Sequence, residues 1–155
     1  MIVRTSRLFL CPASAVWPLL CNSQMEDSTT PLFGLGVPRP VRCRLPDGQG
    51  GVGSGRECVS DRGVVRQRIL IWDPEKRLSF RMEDTDIWFR SFVREIVDTF
   101  DLAELNGSHV RITRTTEVTM KGRFRPVKAC LLFVGLKHVH RFVFESWRRS
   151  TERRH

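Results

Sequence analysis

Apolar and polar positions alternate over roughly the first 120 residues, and this pattern predicts a series of β-strands separated by turns. The predicted strands are 2–10, 37–45, 56–60, 64–72, 78–82, 87–102 and 109–120. The segments between them carry turn residues, with five glycines from Asp47 to Gly55 and Asn106–Gly107 before the last strand. Pro38 and Pro40 place the second strand near a sheet edge, since proline has no N–H for the ladder. An antiparallel meander is therefore expected.

The N-terminal segment is predicted to add a short helix after the first strand. Pro12 suits the first turn of a helix, which is predicted to run from Ala13 to about Trp17, where Pro18 ends or kinks it. The basic and apolar residues before Pro12 imitate a secretory leader. Prolines interrupt that apolar stretch, so folded structure is predicted here instead.

After Gly122 the apolar spacing changes to three and four residues, which is typical of an α-helix. The residues that carry this spacing are Phe124, Val127, Leu131, Val134 and His138. They predict a C-terminal helix of about 25 residues that ends near Trp147. This is the only predicted element long enough to cover the apolar face of the meander. The expected fold class is α+β: a curved antiparallel β-sheet gripping a long C-terminal α-helix, with a short N-terminal helix after the first strand.

Composition and length agree with one folded domain, predicted over residues 1–150, followed by a basic tail over 151–155. The chain has 155 residues, of which 41% are hydrophobic and 28% are charged. The longest apolar run, from Ala129 to Leu136, has eight residues, whereas a membrane-spanning helix needs about 20. No transmembrane segment is therefore predicted.

The net charge of +9 is concentrated towards the C-terminus. Residues 121–155 hold ten Lys and Arg and two acidic residues, so residues 1–120 carry a net charge of only +1. A body this close to neutral does not suit nucleic-acid binding, and no specific nucleic-acid partner is predicted. The basic cluster of Arg148, Arg149, Arg153 and Arg154 is expected to be a solvated helix end that suits the helix dipole. The alternative is a weak contact with an anionic surface.

The five cysteines, at positions 11, 21, 43, 58 and 130, are odd in number and widely spaced. No Cys or His pair has the spacing of metal ligands, so no metal site is predicted. Free thiols in a reducing cytoplasm are the expected state, and with them a cytoplasmic location. The pattern Gly48-x-Gly50-x-x-Gly53 matches the dinucleotide fingerprint in its letters, but a strand rather than a helix follows it. No cofactor is therefore predicted.

Several short motifs follow one another in an order found in a known superfamily. They are the opening strand with Pro12 and Val16–Trp17, the stretch Gly34–Pro40, the loop Gly48–Gly53, Trp72–Asp73–Pro74, Thr99–Leu102, Asn106–Gly107, Arg111–Thr115 and the closing helix. This order resembles the helix-grip (START-like, SRPBCC) superfamily, and within it the polyketide cyclase/dehydrase and lipid-transport family. The resemblance implies a cavity between sheet and helix, with the glycine loop at its entrance. One departure from the family's pattern is that residues 22–31 are short and polar, so the second small helix of the family is expected to be reduced here.

Strand periodicity places charged residues on faces that are otherwise apolar. Arg94 and Asp98 share a face with Phe100, and Arg114 shares one with Ile112. A buried charge is costly unless it is paired or lines a solvated cavity. We therefore expect Arg94, Asp98 and Arg114 to project into an internal cavity and to orient a polar ligand head. The alternative is a β-bulge that reverses the parity and leaves these charges at the surface.

The remaining candidates for the ligand-binding wall are two tryptophans and one face of the C-terminal helix: Trp72, Trp88, Leu131, Val134 and His138. His138 and His140 lie two residues apart on the helix and point away from each other, so they cannot share a metal ion. No catalytic nucleophile can be assigned from the residue pattern.

Three functions stay open at this point. The first is the binding of a small hydrophobic or amphipathic molecule, lipid-like or polyketide-like, without catalysis. The second is an enzyme of polyketide cyclase/dehydrase type that uses the same cavity, with Arg94, Asp98, Arg114 and His138 as candidate groups. The third is an interaction module that acts through the basic helix end. The ligand and the oligomeric state are left open.

Overall fold

The computed structural model describes residues 1–123 and 125–154, which form one antiparallel sheet and a long helix. The elements are β1 (Ile2–Phe9), α1 (Ala13–Cys21), β2 (Ser23–Gln24), α2 (Pro31–Gly34), β3 (Pro40–Arg44), β4 (Gly55–Ser60), β5 (Gly63–Asp73), β6 (Arg77–Thr85), β7 (Val93–Glu104), β8 (Val110–Met120) and α3 (Arg125–Glu152). The strand order is β1-β8-β7-β6-β5-β4-β3-β2, so the first strand lies beside the last. The predicted fold class is confirmed.

Helix α3 packs along the curved sheet on two separate groups of apolar side chains. The larger group lies around Phe9, Phe100 and Trp147, and α1 packs into it as well. The smaller group surrounds Phe92 and Leu132. Between these two contacts the helix does not fill the space over the sheet.

Helix α1 is longer than predicted, because it continues through Pro18 to Cys21. Proline removes one hydrogen bond from a helix interior. Here Leu19, Leu20 and Cys21 are buried in the larger apolar group, and this packing outweighs the lost bond. Helix α2 is a single turn that begins at Pro31, which agrees with the reduced second helix expected from the short segment 22–31.

The segment predicted as one strand over 87–102 has two parts. A 3-10 helix, Trp88–Ser91, buries Phe89 and precedes β7. Residues Val93 and Glu95 then flank a register shift against β8, which reverses the side-chain parity at the start of the strand.

Helix α3 has 28 residues and extends past the predicted end near Trp147. Its last turn passes the boundary predicted at residue 150, and the side chain of Thr151 is buried and donates to the carbonyl of Arg148. The predicted helix member Phe124 and the last residue of the predicted tail, His155, lie outside the described residues. In the part of the chain that the structure describes, no helix is both long and apolar enough to cross a membrane.

The prediction of free thiols is wrong for two of the five cysteines. Cys43 on β3 and Cys58 on β4 lie directly opposite each other, with Cα atoms 4.1 Å apart, and form a disulfide. Cys11, Cys21 and Cys130 are free. Spacing along the chain does not reveal the pair, because the strand register alone brings the two side chains together.

Candidate functional site

A cavity of about 440 Å³ lies between the sheet and α3, in the range of small-molecule sites. Strands β4 to β8 form one wall, α3 forms another, and residues 32–38 form a third. Most of the lining side chains are apolar, such as Val65, Ile96, Leu136 and Val139. The two apolar groups under α3 both contribute to this lining, so the cavity occupies the space between them.

The cavity opens to solvent through a mouth of apolar side chains, defined here by Leu35, Trp88, Leu131 and Val134. All four line the cavity, yet they are 82%, 51%, 68% and 49% exposed. The indole N–H of Trp88 donates to the carbonyl of Gly36 at 3.0 Å and so joins the two sides of the mouth. Apolar surface left in water at a cavity entrance is available to a ligand.

An ion pair lies on the inner wall of the cavity, where Arg114 meets Asp98. The Nε and Nη2 atoms of Arg114 donate to the two carboxylate oxygens of Asp98 at 3.1 and 2.9 Å. Thr116 donates to the same carboxylate, and the guanidinium of Arg114 lies 5.2 Å from the ring centre of Phe100. Burial alone would raise the pKa of Asp98, but Arg114 and these hydrogen bonds hold that pKa below its usual value.

His140 supports this ion pair from behind, although sequence reasoning did not select it. Its ring is fully buried, with Nδ1 at 3.0 Å from the hydroxyl of Thr5 and Nε2 at 2.8 Å from that of Thr116. Because Thr116 donates to Asp98, Nε2 carries the proton of His140 and donates to Thr116. Burial, with Arg114 nearby, lowers the pKa of His140 to about 3, so the ring is neutral at physiological pH.

A sequence signal for His140 exists in the helix spacing. The lining and buried residues of α3 recur at positions 132, 136, 140, 143 and 147, which is one helical face. His138 lies off that face and outside the cavity lining. Its Nε2 atom is 2.7 Å from the hydroxyl of Thr30, and its ring packs on Phe33.

Arg56 of β4 is a second arginine on the inner wall, and only 4% of its surface is exposed. Nε donates to the carbonyl of Leu20 at 3.1 Å, and Nη1 donates to Gln67 at 2.7 Å and to the sulfur of Cys58 at 2.9 Å. The guanidinium lies 4.3 Å from the ring centre of Phe80. Burial lowers the pKa of Arg56 to about 10, so the side chain stays charged at neutral pH. The sequence shows that Arg56 and Cys58 share one face of β4. It does not show whether that face is turned towards the cavity or towards solvent.

The structure brings together five of the eight residues predicted to contact a ligand. Asp98 and Arg114 lie on the inner wall, and Trp88, Leu131 and Val134 lie at the mouth. The other three, Trp72, Arg94 and His138, lie outside the cavity lining. Arg94 is exposed and outside the lining, because the register shift at the start of β7 turns it away from Asp98.

The glycine loop and Trp72 also lie away from the cavity lining, contrary to what the resemblance implies for the loop. The ring of Trp72 packs against Trp17, with ring centres 5.2 Å apart. It also covers Gly50, where a side-chain carbon would collide with the indole. Gly50 therefore serves the packing of Trp72.

The basic helix end is largely neutralised by acidic neighbours. Arg148 pairs with Glu145 and Glu152, Arg149 with Glu26 and Glu145, and Arg153 with Glu26. Within residues 1–123 and 125–154, no group of three or more His, Cys, Asp or Glu side chains is placed to hold a metal ion.

Comparison with solved structures gives full-length similarity at low sequence identity. The aromatase/cyclase Zhui from Streptomyces sp. R1128 has a TM-score of 0.69 at 15% identity, over 99% of this chain and 94% of its own. A START superfamily protein from Mycobacterium smegmatis has a TM-score of 0.65 at 13% identity, over 99% of each chain. Norcoclaurine synthase from Thalictrum flavum has a TM-score of 0.64 at 12% identity, over 99% of this chain and 95% of its own.

These similarities confirm the helix-grip fold, and at such identities they establish the fold alone. No protein-family model matches the chain. A search of the curated proteins finds no match either.

Proposed function

From the helix-grip fold and its open apolar cavity, we propose that this protein binds a small hydrophobic or amphipathic molecule between the sheet and α3. The observation that carries the proposal is a cavity of about 440 Å³ that α3 covers without filling. The apolar body of the ligand contacts Leu131, Val134 and Trp88 at the mouth. Asp98 and Arg114 face its inner end.

The energetic reason for binding is the removal of apolar surface from water on both sides. Transfer of such surface contributes about 25 cal/mol for each Å² that becomes buried. A ligand in the cavity also covers side chains at the mouth that are otherwise in water, such as Leu35 and Leu131. Binding of apolar molecules is thus favourable without any covalent step.

A cavity-filling substitution tests the proposal. Val139 lines the cavity from α3, and Val139→Trp places an indole in the ligand's space. We expect affinity for a neutral naphthylamine dye, followed by its fluorescence, to fall by about tenfold or more. Val127→Trp is the matched control, because Val127 lies on the same helix, exposed and outside the lining. Native mass spectrometry of the protein from its own host then identifies a co-purified molecule.

Two results would contradict binding in this cavity. One is a wild-type protein that does not bind the dye. The other is a Val139→Trp variant that binds it as tightly as the Val127→Trp control.

The second candidate is an enzyme of cyclase type, favoured by the hydrogen-bonded set of Asp98, Arg114, Thr116 and His140 beside the cavity. In that case Arg114 stabilises negative charge that develops on a substrate oxygen, and Asp98 orients the guanidinium. Similarity to an aromatase/cyclase supports the same candidate. The test is the ring-closure product pattern of a poly-β-ketone: wild type should shift it, and Arg114→Met should restore the uncatalysed pattern. An unshifted pattern with wild type excludes the candidate.

Two weaker proposals concern the surroundings of the protein. The first is a contact of Arg153 and Arg154 with an anionic surface. The pairing of Arg153 with Glu26 argues against this contact, and co-sedimentation with anionic vesicles at low and moderate salt tests it.

The second is a cytoplasmic location, and the Cys43–Cys58 disulfide argues against it. Alkylation of thiols under denaturing conditions directly after cell lysis tests that location, since the unfolded chain of a reduced protein reacts at all five cysteines.

A further inference from the structure

In the described part of the chain, Arg56 is a buried cation without an acidic partner. Its hydrogen bonds go to a carbonyl, an amide and a sulfur, all of which are neutral. Among the described residues, no Asp or Glu lies within ion-pair distance of its guanidinium, although thirteen ion pairs occur elsewhere. A buried charge left uncompensated is costly, so a compensating group is expected from outside the chain.

The charges on the inner wall of the cavity leave one positive charge in excess. Arg56 and Arg114 lie over the rings of Phe80 and Phe100, whose centres are 5.9 Å apart. Among the residues that the structure describes, Asp98 is the single carboxylate of this wall, and both of its oxygens already accept hydrogen bonds from Arg114. His140, behind the wall, is neutral at physiological pH.

Hydrogen-bond donors also exceed acceptors at this end of the cavity. Within residues 1–123 and 125–154, no hydrogen bond uses Nη2 of Arg56 or Nη1 of Arg114. A ligand oxygen with negative charge supplies both the missing acceptor and the missing charge.

We propose that the inner end of the cavity is an anion site, and that the ligand is an amphipathic carboxylate whose head group meets Arg56 and Arg114 while its apolar body extends to the mouth. This inference rests on the proposed function, since it specifies the ligand of the same cavity. A carboxylate carries one negative charge, which matches the one excess positive charge. A phosphate monoester carries about −1.5 to −2 at neutral pH and would leave uncompensated negative charge in an apolar site.

Matched probes of one chain length test the head group. Decanoate, decanol and decylammonium compete at neutral pH for the bound neutral dye, and displacement gives their relative affinities. We expect decanoate to bind wild type about tenfold or more tightly than decanol, and decylammonium to bind most weakly. Arg56→Met should bring the ratio of decanoate to decanol close to one while decanol still binds.

Two further variants complete the design. Arg56→Lys keeps the charge and should retain a reduced preference for decanoate. Arg94→Met removes an exposed arginine outside the lining and should leave the preference unchanged. Thermal unfolding of each variant checks that it is folded.

The possible outcomes separate the two proposals. Binding of the dye and decanol with no preference for decanoate in wild type overturns the anion site and leaves hydrophobic binding intact. No binding of any probe overturns both. A preference that survives in Arg56→Met overturns the assignment to Arg56. If Arg56→Met does not fold, the wild-type ratio decides whether an anion site exists, and a preference as large in folded Arg56→Lys as in wild type overturns the role of the Arg56 guanidinium.

Discussion

At the scale of single residues, a chain of hydrogen bonds holds the inner wall of the cavity in place. It runs from Thr5 through His140 and Thr116 to the carboxylate of Asp98, which also holds Arg114. The chain joins α3 to β1, β7 and β8, so one polar network fixes the helix over the sheet. Its members are neutral or paired, which is the condition for burying polar groups without loss of stability.

The buried histidine makes stability depend on pH. His140 has a folded-state pKa of about 3, below its unfolded value near 6.5, so between these values the unfolded chain binds more protons. Stability therefore falls as the pH is lowered through this window, by about 2 kcal/mol between pH 6.5 and 5 for this group. In His140→Gln that part of the pH dependence should disappear, as measured by urea unfolding at several pH values.

His138→Gln is the comparison for that experiment. Burial, followed by Arg141, lowers the pKa of His138 too, so His138 contributes in the same direction. The His138 variant should keep most of the acid sensitivity, because its ring is only partly buried. Equal slopes in wild type and His140→Gln would show that His140 does not titrate as described.

At the scale of elements, the disulfide ties β3 to β4 near the edge of the sheet that the short strand β2 completes. The bond closes a loop of 15 residues, and such a loop corresponds to about 3 kcal/mol in the chain-entropy model. We expect the double variant Cys43→Ala/Cys58→Ala to lose about 2–4 kcal/mol in the free energy of unfolding, measured in urea.

The matched control for the disulfide is Cys130→Ala, which removes an exposed free cysteine. It should stay within about 0.5 kcal/mol of wild type. An oxidised wild type that unfolds at the same urea concentration as the reduced protein would argue against the bond.

Elements with strong local signals could be predicted from the sequence, and those set by distant contacts could not. The hairpin turn at Asn106–Gly107 and the helical spacing of α3 are local, and both lie in the structure where they were expected. The 3-10 turn at Trp88–Ser91 and the register shift after Val93 depend on packing against other elements. Strand periodicity placed Arg94, Asp98 and Arg114 in the cavity together; Asp98 and Arg114 do line it, whereas the register shift turns Arg94 away.

At the scale of the whole molecule, the cavity exists because α3 rests on two distant supports. Leu132 and Trp147 belong to different apolar groups and are separated by about 22 Å along the helix axis. The helix between them carries Gly135, Val139 and Val143 over the cavity. A long rigid element supported near both ends leaves room beneath its middle, and the sheet supplies the opposite wall.

The position of Trp88 gives the molecule a built-in optical signal. The chain has four tryptophans and no tyrosine, so its ultraviolet emission comes from indoles alone. Trp147 is shielded from water, while half of Trp88 faces solvent at the entrance. A ligand that binds against Trp88 excludes water from that indole and shifts its fluorescence to shorter wavelength, so occupancy of the cavity can be followed without any label.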